Sequence, residues 1–230
     1  DLAALVDRFA DTVWPNGLRV NHPRFFAYIP GPGDFAGAIG DFLSAGSNVY
    51  AGSWLASPSG SYMEVLVLEW LAQLAGYPAE CEGTLTSGGS MANLTGLRLA
   101  RDRRDDGSAD PAWRHGRVYV CEQGHSSVVK AAVMLGFSRG QIVPISSDSA
   151  FRMDPAALVQ AMAGDPAPVA VVASAGSTNT GAVDPLHALA DVAEATGAWF
   201  HVDGAYGALA WADPRGRAAL DGIARADSLT

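Results

Sequence analysis

Short apolar runs at residues 117–121, 141–145, 169–174 and 198–202 recur through the second half of the chain, separated by helical stretches at 126–136, 154–163 and 186–196. Brief runs without strict alternation read as strands covered on both faces, with the helices between them as crossovers joining parallel neighbours. The pattern therefore predicts an α/β domain built on a mainly parallel sheet flanked by helices. Upstream, Leu2, Leu5, Val6 and Phe9 keep a helical period, and a Pro- and Gly-rich stretch runs from Pro15 to Gly33. Helices are expected over 34–46 and 62–75, the second with Met63, Leu66, Val67, Trp70, Leu71 and Leu74 on one broad face. Residues 1–50 are expected to form an N-terminal segment and residues 51–230 the large domain.

A chain of 230 residues with 49% hydrophobic content can bury a sizeable core. No apolar run approaches the roughly 20 residues that span a bilayer, so no membrane partner is expected. The net charge of −9 argues against nucleic acid as a main partner. Cys81 and Cys121 make neither a disulfide framework nor a metal pattern, and read as buried thiols in a reducing compartment, the cytoplasm. Residues 101–116 read as a charged surface connection. Lys130 is the sole lysine.

In open parallel sheets, ligands bind where the carboxyl ends of strands turn into helices. Four stretches fall at such places. In "TLTSGGSMANLTGLRLA" (84–100) a short strand is expected to meet Ser-Gly-Gly-Ser and then a helix, where backbone N–H groups and Ser90 suit a phosphate as well as an ordinary cap. The spacing is neither a dinucleotide fingerprint nor a P-loop. In "VYVCEQGHSSVVKAAVMLG" (118–136), His125 sits in the turn before a helix that Ser126 or Ser127 can cap; there it can act as a cap or surface group, or as a catalytic one. A Ser/Thr/Gly-rich loop occupies "VVASAGSTNTGAVDPL" (171–186). In "AWFHVDGAYGALAW" (198–211) an apolar run delivers Asp203 into a Gly-Ala-Tyr-Gly bend, and a carboxylate at the tip of a buried strand calls for an arginine, a metal or a cationic ligand.

Taken in order, "HPRFFAYIPGPG", "SWLASP", "TSGGSMANLTGLRLAR", "EQGHSSVVKAA", "ASAGSTNTGAVDPL" and "WFHVDGAYGA" resemble the group II pyridoxal-phosphate-dependent decarboxylases, the family of aromatic-L-amino-acid and glutamate decarboxylases. The resemblance covers the chain from about residue 20 to its end. It implies the aspartate-aminotransferase-like fold (fold type I), pyridoxal 5'-phosphate as cofactor, no metal, and an L-amino acid as substrate. It also implies a homodimer with active sites at the subunit boundary. Asp203 matches the aspartate that meets the cofactor's pyridine nitrogen, and Gly89 and Ser90 match the phosphate-binding turn. His125 matches the histidine that stacks on the cofactor ring, Thr178 a cofactor-contacting threonine, and Ala205 a residue packed near the ring.

Tyr28, Ile29, Pro30 and Gly31 match a substrate-pocket segment, as does the stretch before Trp54. There Gly52 stands where aromatic-amino-acid decarboxylases carry a bulky aromatic, so substrate specificity does not transfer simply. The resemblance further places the cofactor-holding lysine a few residues beyond Thr230, which makes the 230 residues a fragment expected to be inactive alone. Lys130, beyond His125 on its helix, is no substitute. The expected reaction is decarboxylation to the amine and carbon dioxide. The alternatives are aldehyde synthesis, transamination or lysis on the same scaffold, or a non-catalytic fragment that folds or dimerises.

Overall fold

The computed structural model describes residues 1–31 and 33–230; Pro32, within the Pro- and Gly-rich stretch, lies outside the described residues. The chain divides into two units, Asp1–Tyr50 and Ala51–Thr230. In the first, α1 (Leu2–Arg8) begins at Asp1, whose side chain accepts from the Ala3 N–H, and a turn of π-helix continues it over Phe9–Val13. Helix α2 (Phe35–Ser47) is capped by the Asp34 carboxylate at the Gly37 N–H, 3.1 Å, and stops at Asn48 in the left-handed conformation. Its large apolar side chains remain exposed.

The second unit opens with α3 (Pro58–Leu74) and α4 (Gly89–Asp102), then alternates: β1 (Val118–Cys121), α5 (Ser126–Met134), β2 (Ile142–Ile145), α6 (Pro155–Met162), β3 (Ala170–Ser174), α7 (Leu186–Thr196), β4 (Trp199–Asp203), α8 (Pro214–Ala219) and β5 (Ser228–Leu229). The strands form one sheet in the order β2-β1-β3-β4-β5, and every pairing is parallel. Helices cover both faces. Tyr119, Cys121, Val171, Ala173, Phe200 and Val202 bury on one side with α6 and α7. Val118, Val120, Ala170 and Val172 bury on the other with Leu97, Ala100, Val128 and Ala131 of α4 and α5. This two-sided cover is why the strands read as unbroken apolar runs.

Three local expectations change. No strand forms at 84–86: the Leu85 N–H and the Thr84 hydroxyl go to the Glu64 carboxylate of α3, at 3.0 and 3.3 Å, so the segment is fastened by a side chain instead of a ladder. The face predicted for α3 is largely uncovered, with Met63, Trp70, Leu71 and Leu74 exposed. Cys121 is buried, as read from the sequence, but Cys81 is exposed. Within the charged connection, Trp113 turns inward, beneath the guanidinium groups of Arg101 and Arg114 at 5.2 and 5.3 Å.

Candidate cofactor and active site

Helix α4 begins at Gly88 with φ 114°, a conformation open to glycine, and no side chain caps its first turn. Its opening N–H groups are thus open to an anion, whereas α3, α5 and α6 spend theirs on Ser57, His125 and Asp154. Gly89 also permits a close approach. A methyl group there would lie 3.2 Å from the Ala205 Cβ, so the Gly89–Ser90 turn and the bend after β4 are neighbours.

Asp203 ends β4, half-buried, in register with Ser174 at the end of β3. Its Oδ2 accepts from Asn93 Nδ2 at 2.9 Å and its Oδ1 accepts from the Ala205 N–H at 3.3 Å. Among the described residues no arginine, lysine or histidine forms an ion pair with it. Nor does any cluster of His, Cys, Asp and Glu suit a metal ion there. Its partners among the described residues are thus two neutral hydrogen-bond donors.

His125 is itself the N-cap of α5, one of the roles the sequence left open for it, while Ser126 and Ser127, the other cap candidates, lie inside the helix. Its Nδ1 accepts from the Ser127 N–H at 3.2 Å and lies 2.7 Å from Ser127 Oγ, while the ring is exposed. With Nδ1 committed to the cap, Nε2 is the nitrogen left to meet a ligand. Lys130 points to solvent from the same helix.

Thr178 is exposed in the turn after β3. That loop is fastened at its root by Asp184, 2% exposed, whose carboxylate accepts from the Met153 and Ser174 N–H groups at 2.7 Å each. Burial pushes its carboxyl up from the ordinary value, and the two N–H groups oppose the shift. Burial likewise pushes the nearby Cys121 thiol up to about 12, so it stays a neutral packing group. At the other end of the loop, Gly176 (φ 93°) faces Tyr206 and Gly207 so closely that a methyl group would sit 3.0 Å from Tyr206 Cδ1.

Gly89, Ser90, His125, Asp203 and Ala205 are therefore brought to one edge of the sheet, with Thr178 in the adjoining turn. Tyr28 (φ 62°), Pro30 and Gly31 are exposed on the unit Asp1–Tyr50, and Gly52 is exposed near the start of the other unit.

Sequence reasoning missed the residues behind this edge. Asn93, 1% exposed, bonds Asp203 and also donates to Ser127 Oγ at 2.9 Å. His201, 1% exposed, lies 2.9 Å from Asn93 Oδ1 through Nε2 and 2.8 Å from Ser228 Oγ through Nδ1. The Trp199 indole donates to the same Ser228 Oγ at 2.7 Å, and the Thr230 hydroxyl donates to Asn93 Oδ1 at 2.9 Å. The signal was present: Trp199, His201 and Asp203 alternate along β4 and so share a face, opposite Phe200 and Val202.

An open helix start beside a strand-end carboxylate that lacks a protein cation suits a ligand with a phosphate at one end and a basic nitrogen at the other. Comparison with known proteins agrees. The model of the pyridoxal-dependent decarboxylase conserved domain matches residues 1–230. An aromatic-L-amino-acid decarboxylase of Bacillus atrophaeus is 41% identical over 92% of this chain and 44% of its own length. The crystal structure of Oryza sativa TDC with PLP and tryptamine superposes with a TM-score of 0.90 at 34% identity, over 100% of this chain and 52% of that one. A Rhodiola rosea 4-hydroxyphenylacetaldehyde synthase gives 0.92 at 28% identity over the same shares. The chain thus spans about half the length of the relatives it matches. With its all-parallel sheet, its open helix start and its strand-end aspartate, this chain belongs to the pyridoxal-dependent decarboxylase family.

Proposed function

We propose that the protein decarboxylates an L-amino acid with pyridoxal phosphate as cofactor, taking up one proton and releasing the amine and carbon dioxide. The observation that carries this reading is the Asp203 carboxylate, oriented by Asn93 and, among the described residues, without an ion-pair partner, at the same edge as the uncapped start of α4. When bound, the cofactor supplies an electron-withdrawing ring that accepts the electron pair left on Cα as the carboxylate departs. In this reading Asp203 keeps a proton on the ring nitrogen, an attraction of several kcal/mol (about 4 at 4 Å with an effective dielectric near 20).

The N–H groups of Gly89 and Ser90 receive the phosphate, and Thr178 and Ala205 contact the cofactor. His125 packs against the ring and turns Nε2 toward the substrate carboxylate, where it can also exchange a proton. Tyr28, Pro30 and Gly31 are proposed as substrate-contacting residues of the unit Asp1–Tyr50, and Gly52, taken by itself, as one of the other unit. The small Gly52 leaves room that a bulky aromatic would fill, so the substrate side chain is not assigned by likeness to aromatic-specific relatives.

The protein is further proposed to act as a homodimer. Trp14, Phe26, Phe35, Phe42 and Tyr50 of the first unit are all more than two-thirds exposed, more aromatic surface than a free monomer ordinarily shows. A cytoplasmic location fits the free thiols of Cys81 and Cys121. The test is product analysis with the full-length protein, the cofactor and a panel of L-amino acids: amine and carbon dioxide should appear one to one. A second reading, aldehyde synthesis, is favoured by the likeness to the Rhodiola rosea enzyme. Aldehyde in place of amine would select it.

A further inference from the structure

We propose that Asn93 and His201 are positioning residues, holding the Asp203 carboxylate and the His125 imidazole in one fixed relation through a buried hydrogen-bond chain. The inference rests on the reading of Asp203 and His125 as cofactor-facing groups. Donor and acceptor polarity sets the direction of the chain. At one end stands the Trp199 indole, which can only donate; at the other stands a carboxylate, which can only accept. Trp199 Nε1–H donates to Ser228 Oγ, so the Ser228 hydroxyl proton is left for His201 Nδ1. His201 then carries its proton on Nε2 and donates it to Asn93 Oδ1, which also accepts from the Thr230 hydroxyl.

That fixes the Asn93 amide with oxygen toward His201 and nitrogen toward the sheet edge. Its two N–H protons go to Asp203 Oδ2 and Ser127 Oγ, and the Ser127 hydroxyl in turn faces His125 Nδ1 at 2.7 Å. The reverse direction fails. A proton on His201 Nδ1 would set its Nε2 lone pair against Asn93 Oδ1, and flipping the amide would set that oxygen against the carboxylate. One assignment satisfies every group, and Asn93 is where it branches to both cofactor-facing residues.

Two features hold the imidazole in this state. His201 is buried, and burial lowers its pKa to about 4, against the opposing pull of Asp203 and a backbone contact at Ser228, so the ring stays neutral and keeps a single proton to place. Gly96 lets α4 close on the ring: a methyl group there would meet His201 Cε1 at 2.6 Å and Nδ1 at 2.7 Å. A neutral donor chain orients Asp203 without offering it a competing cation.

The full-length protein tests this. In its cofactor-free form, nitrogen NMR of His201 should show the Nε2–H tautomer, and the Nδ1–H tautomer would overturn the chain's direction. Two substitutions then separate the ring nitrogens. His201→Asn places an amide at the Nδ1 position, keeping Ser228 and losing Asn93. His201→Gln places one near Nε2, keeping Asn93. With cofactor labelled at its pyridine nitrogen, His201→Asn should lower kcat about tenfold or more and shift that nitrogen's resonance toward the unprotonated position. His201→Gln should recover most of both at a similar melting temperature.

Equal kcat and equal resonance in the two variants would overturn the proposal. Asp203→Asn, run alongside, keeps the two claims distinguishable. If it loses turnover while His201→Asn and Asn93→Leu do not, the reading of Asp203 stands and this inference falls. If it keeps wild-type turnover, the inference falls with its foundation.

Discussion

The buried imidazole of His201 should leave a signature in the acid stability of the protein. Its pKa falls from an ordinary 6.5 to about 4, first because burial penalises the charged ring, while Asp203 and a backbone contact at Ser228 pull the other way. A group whose folded pKa is depressed contributes stability above its unfolded pKa, and that contribution is lost as pH falls through the folded pKa. The window therefore runs from about pH 6.5 down to about pH 4. A gap of about 2.5 pH units at about 1.4 kcal/mol each sets a ceiling of about 3 kcal/mol. On the order of 1 kcal/mol of it should be gone on moving from pH 7 to 5.5, where most carboxylates remain ionised, and roughly 2 kcal/mol at pH 4.5.

Urea denaturation of the full-length protein and its His201→Gln variant, at one fixed protein concentration, isolates the effect, because glutamine does not titrate and all other groups are common to both. The wild type should lose stability faster than the variant by these amounts. Parallel curves from pH 7 to 4.5 would refute the assignment of a buried, neutral His201, and with it the tautomer argument.

Other perturbations act on separate parts of the account. Gly96→Ala forces a methyl group against the His201 ring and should cost about 1–3 kcal/mol by overpacking, read from the urea midpoint; an unchanged midpoint would mean α4 stands farther from β4 than described. Asp184→Ala leaves the buried Met153 and Ser174 N–H groups without their acceptor and should cost about 2–5 kcal/mol, while loosening the Thr178 turn enough to weaken cofactor binding in equilibrium dialysis. Sedimentation of the full-length protein with cofactor should show a dimer, and a monodisperse monomer that still turns over amino acid would contradict the proposed interface.

The sheet was legible in the sequence because parallel strands buried on both faces leave unbroken apolar runs, and β1 and β3 are buried at every position. The edge groups were legible as charged or glycine-rich punctuation: Asp203 after Phe200 and Val202, and Gly88–Ser90 at the start of α4. What lay behind them was not. Asn93 and Thr230 look like ordinary polar residues of a helix and a strand end, and only the crossing of α4 over β4 brings them within 2.9 Å of each other. The strand expected at 84–86 failed for a related reason, since a local run cannot reveal that Glu64, far upstream, takes the N–H a ladder would need. The apolar side chains of α3 show the same limit: periodicity identifies a face and leaves its cover unspecified.

Asp203 is tested most directly by one comparison: kcat of the full-length, cofactor-loaded protein against its Asp203→Asn variant, with melting temperature measured on both. Asparagine can still offer an oxygen to Asn93 Nδ2, so the fold should hold and the melting temperature should stay nearly unchanged. Turnover should nonetheless fall by at least about a hundredfold, because the charge that keeps the cofactor's ring nitrogen protonated is gone. Turnover near the wild-type value at an unchanged melting temperature would contradict the central claim.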